Sequence, residues 1–356
     1  MQKTKSGAGF PVRYPVKHAS DWHGIKSISF VRKAKAHFQH AKWTMSLGAR
    51  TDPRLVKHSG HFKPLASDDI PAICIIRNAN GYIRSFLRYY RMLGVTRFII
   101  IDDRSVDGTT SALSNIADVD LYTSHIEYKD TNRGKDWRDA FFDMYGRNRW
   151  YLSLDADEFL VFPGYEKRSI RDFIRDLEIV GIDRSHSAML DVYPPGPLRT
   201  GNFVDDGSKW PFDVSSHFDG DGYSIKAERY GNAVRGGPRQ RLFGRDMRLS
   251  KFPLLWVDGK TDYRRGSIHG PGPCIRNFVP VTSILLHYRF SSRSVEEFRK
   301  IVEVGGHAGG GAHYSAILNS PEFSEDFSLA YGGSLPFVGS QDLVDRGFMM
   351  DLRYLF

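Results

Sequence analysis

Short apolar runs, each closed by a polar or glycine-bearing break, recur through the middle of the chain. Ile70-Pro71-Ala72-Ile73-Cys74-Ile75-Ile76, Arg97–Ile101, Val119–Ser124, Trp150–Leu154 and Ala188–Tyr193 have the length of buried strands rather than of helices. Between the first two, Ile83, Phe86, Leu87, Tyr90 and Leu93 recur at the spacing of one helix face and stop at Gly94. A second helix ends near Gly146 and a third covers Ser169–Val180. Strand, helix and strand in so short a span make a βαβ unit, which implies parallel neighbours and a right-handed crossover. Earlier in the chain, Trp22, Ile25, Ile28, Val31, Ala34, Phe38, Ala41 and Met45 step by three or four and predict a further helix. Asp52-Pro53 through Ser67-Asp68-Asp69 reads as a linker. Beyond Leu198 the pattern gives way to stretches rich in Gly, Asp and aromatic residues, read as loops lining a site.

Charge divides the chain at the linker. Residues 1–63 hold 13 Lys/Arg against Asp21 and Asp52, so the remainder carries 37 basic and 39 acidic residues and the net +9 belongs to an N-terminal arm. A basic amphipathic helix on anionic lipid and a helix packed on the body with a solvated basic face both account for this arm. No recognition motif accompanies the charge, which argues against nucleic acid. There is no apolar run of about 18 residues and no apolar signal-peptide core. Cys74 and Cys274 make no disulfide framework, so a cytoplasmic setting is expected, with the arm able to hold the protein on the inner membrane face.

Candidate chemistry gathers where strands end. The run Trp150–Leu154 leads into Asp155, Asp157 and Glu158. In open α/β sheets ligands collect beyond the carboxyl ends of strands. On an extended segment Asp155 and Asp157 share a face and can converge on one hard cation. Asp102 and Asp103 follow the second strand, where a carboxylate suits ribose hydroxyls or a base edge; Asp107-Gly108 reads as a turn. Lys135 and Arg138 can reach a diphosphate, and Arg239 and Arg241, two apart on an extended chain, would clamp an anion. His287 closes an apolar run and reads as a ligand, His269 as a structural residue. Gly305-Gly306 and Gly309-Gly310-Gly311 mark an expected lid. Neither first strand is followed by Gly-x-Gly-x-x-Gly, which argues against a dinucleotide cofactor.

Arg77-Asn78, the Asp102–Thr109 loop, Asp155-Ala156-Asp157-Glu158-Phe159, Leu190-Asp191-Val192-Tyr193, Arg239-Gln240-Arg241-Leu242-Phe243, Lys251-Phe252-Pro253-Leu254 and Leu286-His287-Tyr288 occur in one order. That order resembles a bacterial branch of the family-2-like glycosyltransferases, across roughly residues 70–350. Ala79 departs from the Glu usual there. The resemblance implies a GT-A fold, a Rossmann-like, mostly parallel sheet flanked by helices with a loop-rich acceptor region. The expected division is an arm at 1–66 and a domain at 67–350, split into a nucleotide-sugar half (67–193) and an acceptor half (194–350). It also implies a UDP- or GDP-linked sugar donor, a glycan or lipid-linked acceptor, and Mn²⁺ or Mg²⁺ held by Asp155, Asp157 and His287. Arg77, Asn78, Asp102, Asp103, Lys135, Asp155, Arg239 and Arg241 would contact the donor, and Asp191 would be the base of an inverting transfer, with Asp213 and Asp258 as rivals. A nucleotidyltransferase, or an inactive carbohydrate-binding or scaffold protein using the aromatic residues from Trp210 to Trp256, are the alternatives.

Overall fold

The computed structural model describes residues 11–17, 22, 34, 37–38, 41, 45, 52–58, 61–305 and 311–355. Its strands, in chain order, begin with β1 (Val12–Tyr14), β2 (Leu55–Lys57), β3 (Pro71–Ile76), β4 (Arg97–Asp102), β5 (Val119–Ser124), β6 (Arg149–Leu154), β7 (Glu158–Val161) and β8 (His186–Val192). They continue with β9 (His217–Asp219), β10 (Tyr223–Glu228), β11 (Gly231–Arg235), β12 (Ser250–Lys251), β13 (Leu254–Val257), β14 (Asp262–Ser267), β15 (Gly270–Gly272), β16 (Val281–Tyr288) and β17 (Ser334–Pro336).

Six strands form the central sheet in the order β13-β6-β3-β4-β5-β2. The inner four are parallel, and β13 and β2 close the edges antiparallel. The inner strands read as unbroken apolar runs because both faces are covered. Ala72, Cys74, Phe98 and Ile100 join one core with Ile83, Phe86 and Tyr90 of the helix Ile83–Met92. Their chain neighbours Ile73, Ile99 and Ile101 point the other way, onto Trp137, Phe141 and Phe142 of the helix Lys135–Tyr145. The helix Ile170–Ile179 starts on a reciprocal cap, in which Ser169 and Asp172 satisfy each other's backbone N–H. The expected mixed α/β, Rossmann-like body is observed.

A second sheet, in the order β12-β8-β16-β7, carries β8 and β16 parallel and its outer pairs antiparallel. The chain crosses between the sheets twice at one place. It leaves β6 for β7 through a turn at 155–157, closed by a Glu158 N–H bond to the Asp155 carbonyl (3.1 Å). It returns from β12 to β13 through Phe252-Pro253, whose Pro253 carbonyl accepts from Ser153 N–H (2.7 Å). The acidic motif and Lys251 therefore meet at a double crossing.

Two boundaries differ from expectation. Strand β1 pairs with β10, Tyr14 donates from its hydroxyl to the Phe348 carbonyl, and Tyr14, Val16 and Trp22 lie in the main core. Strand β2, inside the expected linker, extends the central sheet beside β5 and ties Lys57 to Asp120 at 2.7 Å. Strands of three residues are too short to show a period, so these pieces of the 1–66 arm were hidden. The region past Leu198 holds β9 to β17 rather than mainly loops, and Phe212, Phe218 and Tyr223 are core residues, not a sugar-facing surface. The expected arm helix and glycine lid fall largely outside the described residues; Phe38 and Met45, which are described, are exposed. No helix among the described residues is long and apolar enough to cross a membrane.

Candidate active site

Strand register lines up the chemistry. His287 on β16 is paired with Asp191 on one side and Glu158 on the other, so the three stand in one row across the second sheet near the carboxyl ends of β8 and β16. Asp155 and Asp157 bracket the turn before Glu158. Because 155–157 is a turn rather than a strand, the two aspartates do not share a face; each goes to a different buried cation.

Asp155 belongs to Lys251. The ammonium lies 2.7 Å from Asp155 Oδ2 and 2.8 and 2.7 Å from the Glu158 oxygens. Arg138 adds a bond from Nη2 to Asp155 Oδ1 (3.0 Å) and one from Nε to Ser153 Oγ (3.0 Å). Burial alone would lower the Lys251 pKa, but Asp155 and Glu158 hold it well above its ordinary value. Two cations thus face two carboxylates, and the charges of this half balance.

Asp157 belongs to His287. The ring reaches Asp157 Oδ2 from Nε2 (3.4 Å) and Asp191 Oδ1 from Nδ1 (2.6 Å). Arg289 Nη1 approaches the same Asp157 oxygen at 3.4 Å, and Arg239 Nη2 donates to Asp191 Oδ1 at 2.5 Å. Burial opposes charge on the imidazole, yet the two carboxylates raise its pKa to about 9. Burial would likewise push Asp191 up, but Arg239 and His287 bring it to about 2, and Asp157 also stays below the usual carboxylate range, held there against burial by His287 and Arg289.

Asp191 gives one oxygen to both His287 and Arg239, which bring its pKa to about 2, so it stands as their support rather than as a strong proton acceptor. Its rivals are also committed: Asp213 accepts from Trp210 N–H, and Asp258 holds Arg276 and Thr261. Arg239 and Arg241 lie on the helix Gly237–Phe243 rather than on an extended segment, and there two-residue spacing turns side chains apart. Only Arg239 faces the site. Arg241 grips Asp219 with two bonds of 2.9 Å and stacks on Tyr331.

The loops after β3 and β4 are laced together. Asn78, at φ 54°, accepts from Val106 N–H (2.9 Å) and gives its own N–H to Ser105 Oγ (2.8 Å). Asp102 spends its oxygens on Ser105 N–H (2.9 Å) and the Thr110 hydroxyl, so it builds the loop instead of reaching outward. Asp107, as expected, is a turn residue, bonded to Asn80 and Thr109. Asp103 is left facing Arg77 at 3.9 Å, with its pKa raised by burial. Lys135 opens the helix Lys135–Tyr145, and burial lowers its pKa. His269 is structural, with Nδ1 on the Ser250 carbonyl (3.1 Å).

Among the described residues, no three His, Cys, Asp or Glu side chains gather to hold a metal ion. The expected trio of Asp155, Asp157 and His287 is divided, because Lys251 and Arg138 neutralise Asp155. Asp157 Oδ2 and His287 Nε2, 3.4 Å apart, are the remaining pair that would hold a cation, beside Arg289 on the same oxygen. Asp191 on Nδ1 is the carboxylate support that fixes which ring nitrogen faces such an ion. A divalent cation held by two protein groups takes its other ligands from substrate oxygens and water, which is the habit of Mg²⁺. Sequence reasoning missed Lys251 and Arg289. A lysine just before the apolar Phe252-Pro253-Leu254-Leu255 was the signal for the first; the second had none beyond its place after His287-Tyr288.

The chain matches no protein-family model and no curated protein. Solved structures similar over part of it include the following three. HddC from Yersinia pseudotuberculosis is 13% identical with a TM-score of 0.24, over 36% of this chain and 63% of that one. The mannosyltransferase Ktr4p from S. cerevisiae is 13% identical with a TM-score of 0.24, over 47% and 51%. The inositol-1-phosphate CTP transferase from T. maritima is 12% identical with a TM-score of 0.21, over 41% and 68%. The chain thus spans about half to two thirds of those structures, and at such TM-scores the likeness decides nothing about chemistry.

Proposed function

We propose that the chain is a transferase using a nucleotide-linked donor and, within that class, an inverting glycosyltransferase. It would move a sugar from a UDP- or GDP-linked donor to a hydroxyl of a glycan or glycolipid. The observation that carries this reading is the Asp157–His287–Asp191 chain at the carboxyl ends of β6, β16 and β8, flanked by Arg239 and Arg289. Asp157 and His287 are the residues that would hold a divalent cation, which would supply Lewis-acid stabilisation to a departing diphosphate. Asp191 keeps the His287 ring aimed, and Arg239 and Arg289 set positive charge where the leaving group gathers negative charge. The Asp155 side chain is 42% exposed and marks the mouth of the site, with Asp103 and Arg77 beyond it for the nucleoside.

Glycosyl transfer is favoured over nucleotidyl transfer by the loop after β3. Arg77-Asn78-Ala79-Asn80-Gly81 is fastened to residues 105–109 through backbone N–H groups that a phosphate-binding loop would leave free. The test is a melting-temperature screen with UDP and GDP, with and without Mn²⁺, followed by hydrolysis assays on common sugar nucleotides. A metal-dependent rise with one nucleotide supports the reading; indifference to every nucleotide removes it.

A further inference from the structure

An inverting transfer needs a group that takes the proton of the attacking hydroxyl. Of the three acids nominated from the sequence, Asp213 and Asp258 are occupied elsewhere, and Asp191 is committed through Oδ1 to His287 and Arg239, with Oδ2 buried and without a partner. The observations point instead to the helix Ala312–Leu318, which packs beside the His287 half. Its second residue, His313, has both ring nitrogens shielded from solvent and without a hydrogen-bond partner. Buried polar groups are normally paired, and the other buried histidines obey that rule. His186 uses both nitrogens, on the Val279 carbonyl and Ser250 Oγ; His269 uses Nδ1; His287 uses both. Among the described residues His313 is the exception, and it stands beside the candidate site.

Its placement follows from its neighbours. Tyr314, next in the chain and against the His313 ring, lies under the Arg289 guanidinium at 4.7 Å, and Arg289 in turn reaches Asp157. The charged groups that act on the imidazole are Arg239 and Arg245 from the helix Gly237–Phe243 and the loop after it, Asp191 from β8, and Arg289 after β16. Three of the four are positive. Burial and these guanidiniums keep the ring neutral, with a pKa near 4. A neutral imidazole has a lone pair to offer, and an anionic donor bound to Arg239 and Arg289 would remove the repulsion that holds its basicity down.

We propose that His313 accepts the proton of the incoming hydroxyl, a role that rests on the transferase reading above. The hydroxyl O–H bond breaks and its proton passes to a ring nitrogen of His313. The oxygen forms its bond to the anomeric carbon as the bond from that carbon to the donor phosphate breaks. The nucleoside diphosphate leaves with that electron pair, and the ring later returns the proton to solvent.

The experiment compares full-length wild type with His313→Gln and His313→Ala, using water as acceptor and UDP- and GDP-sugars as donors. Expected are unchanged nucleotide-induced melting shifts, a fall in turnover of about 10²–10⁴-fold, and loss of the low-pH limb of the rate profile. Added imidazole should restore part of the rate in His313→Ala, which guards against a variant that is merely damaged. Near wild-type turnover with the limb intact in His313→Gln overturns the proposal while leaving the transferase standing. A wild type that neither binds nor hydrolyses any sugar nucleotide overturns both.

Discussion

The acidic motif feeds two arrangements that look alike and behave differently. In one, Lys251 sits between Asp155 and Glu158 with Arg138 alongside; in the other, His287 sits between Asp157 and Asp191 with Arg239 and Arg289 alongside. Each is a buried cation held by two carboxylates. The lysine is permanent, because its neighbours hold its proton more firmly than water would. The imidazole is exchangeable: it can give up its proton and turn the freed lone pair toward a metal ion. Lys251 also lies where the chain crosses between sheets, so its half fastens the corner on which the other half is mounted. On the proposed function, one Asp-x-Asp motif divides its labour, its first acid serving the fold and its second the chemistry.

The sharpest way to break the comparison is Lys251→Met. It leaves Glu158 buried and Asp155 under-compensated, and such a loss typically costs about 3–5 kcal/mol. Urea denaturation should show it, and an effect below about 1 kcal/mol would mean that the lysine half is not structural.

Alkaline titration in EDTA separates the halves next. The His287 pKa of about 9 lies above the unfolded value of about 6.5. Its contribution is therefore full below pH 6.5 and lost as the pH rises through 9. From pH 7 to 10 the loss should be about 2–3 kcal/mol, absent from His287→Gln; Lys251 stays charged throughout that range. A pH-independent stability in the wild type would contradict the titrating role.

A finer test is Asp191→Asn, which keeps the shape but loses the carboxylate behind His287. Mn²⁺ affinity should fall about 10–100-fold, measured by calorimetry in the presence of UDP or GDP. Unchanged affinity would leave Asp191 without a supporting role.

The central strands were legible because β3 and β4 are covered on both faces, and an unbroken apolar run is what such strands require. The Gly94 stop made a helix end equally plain. Asp155 and Asp157 were legible as a pair, but their divergence was not: it depends on a turn where alternation predicted a strand. Arg241 misled for a related reason, since Gly236-Gly237-Pro238 opens a helix that swings it onto Asp219. Lys251 and Arg138 reach Asp155 from 96 and 17 positions away, and such distant pairings have no local signature.

The division of labour is tested most directly by the melting temperature with Mn²⁺ and UDP or GDP, on wild type, Asp157→Asn and His287→Gln. The account predicts a metal-dependent rise in the wild type that both variants lose while remaining folded. A full rise in Asp157→Asn, or none in the wild type, would contradict it.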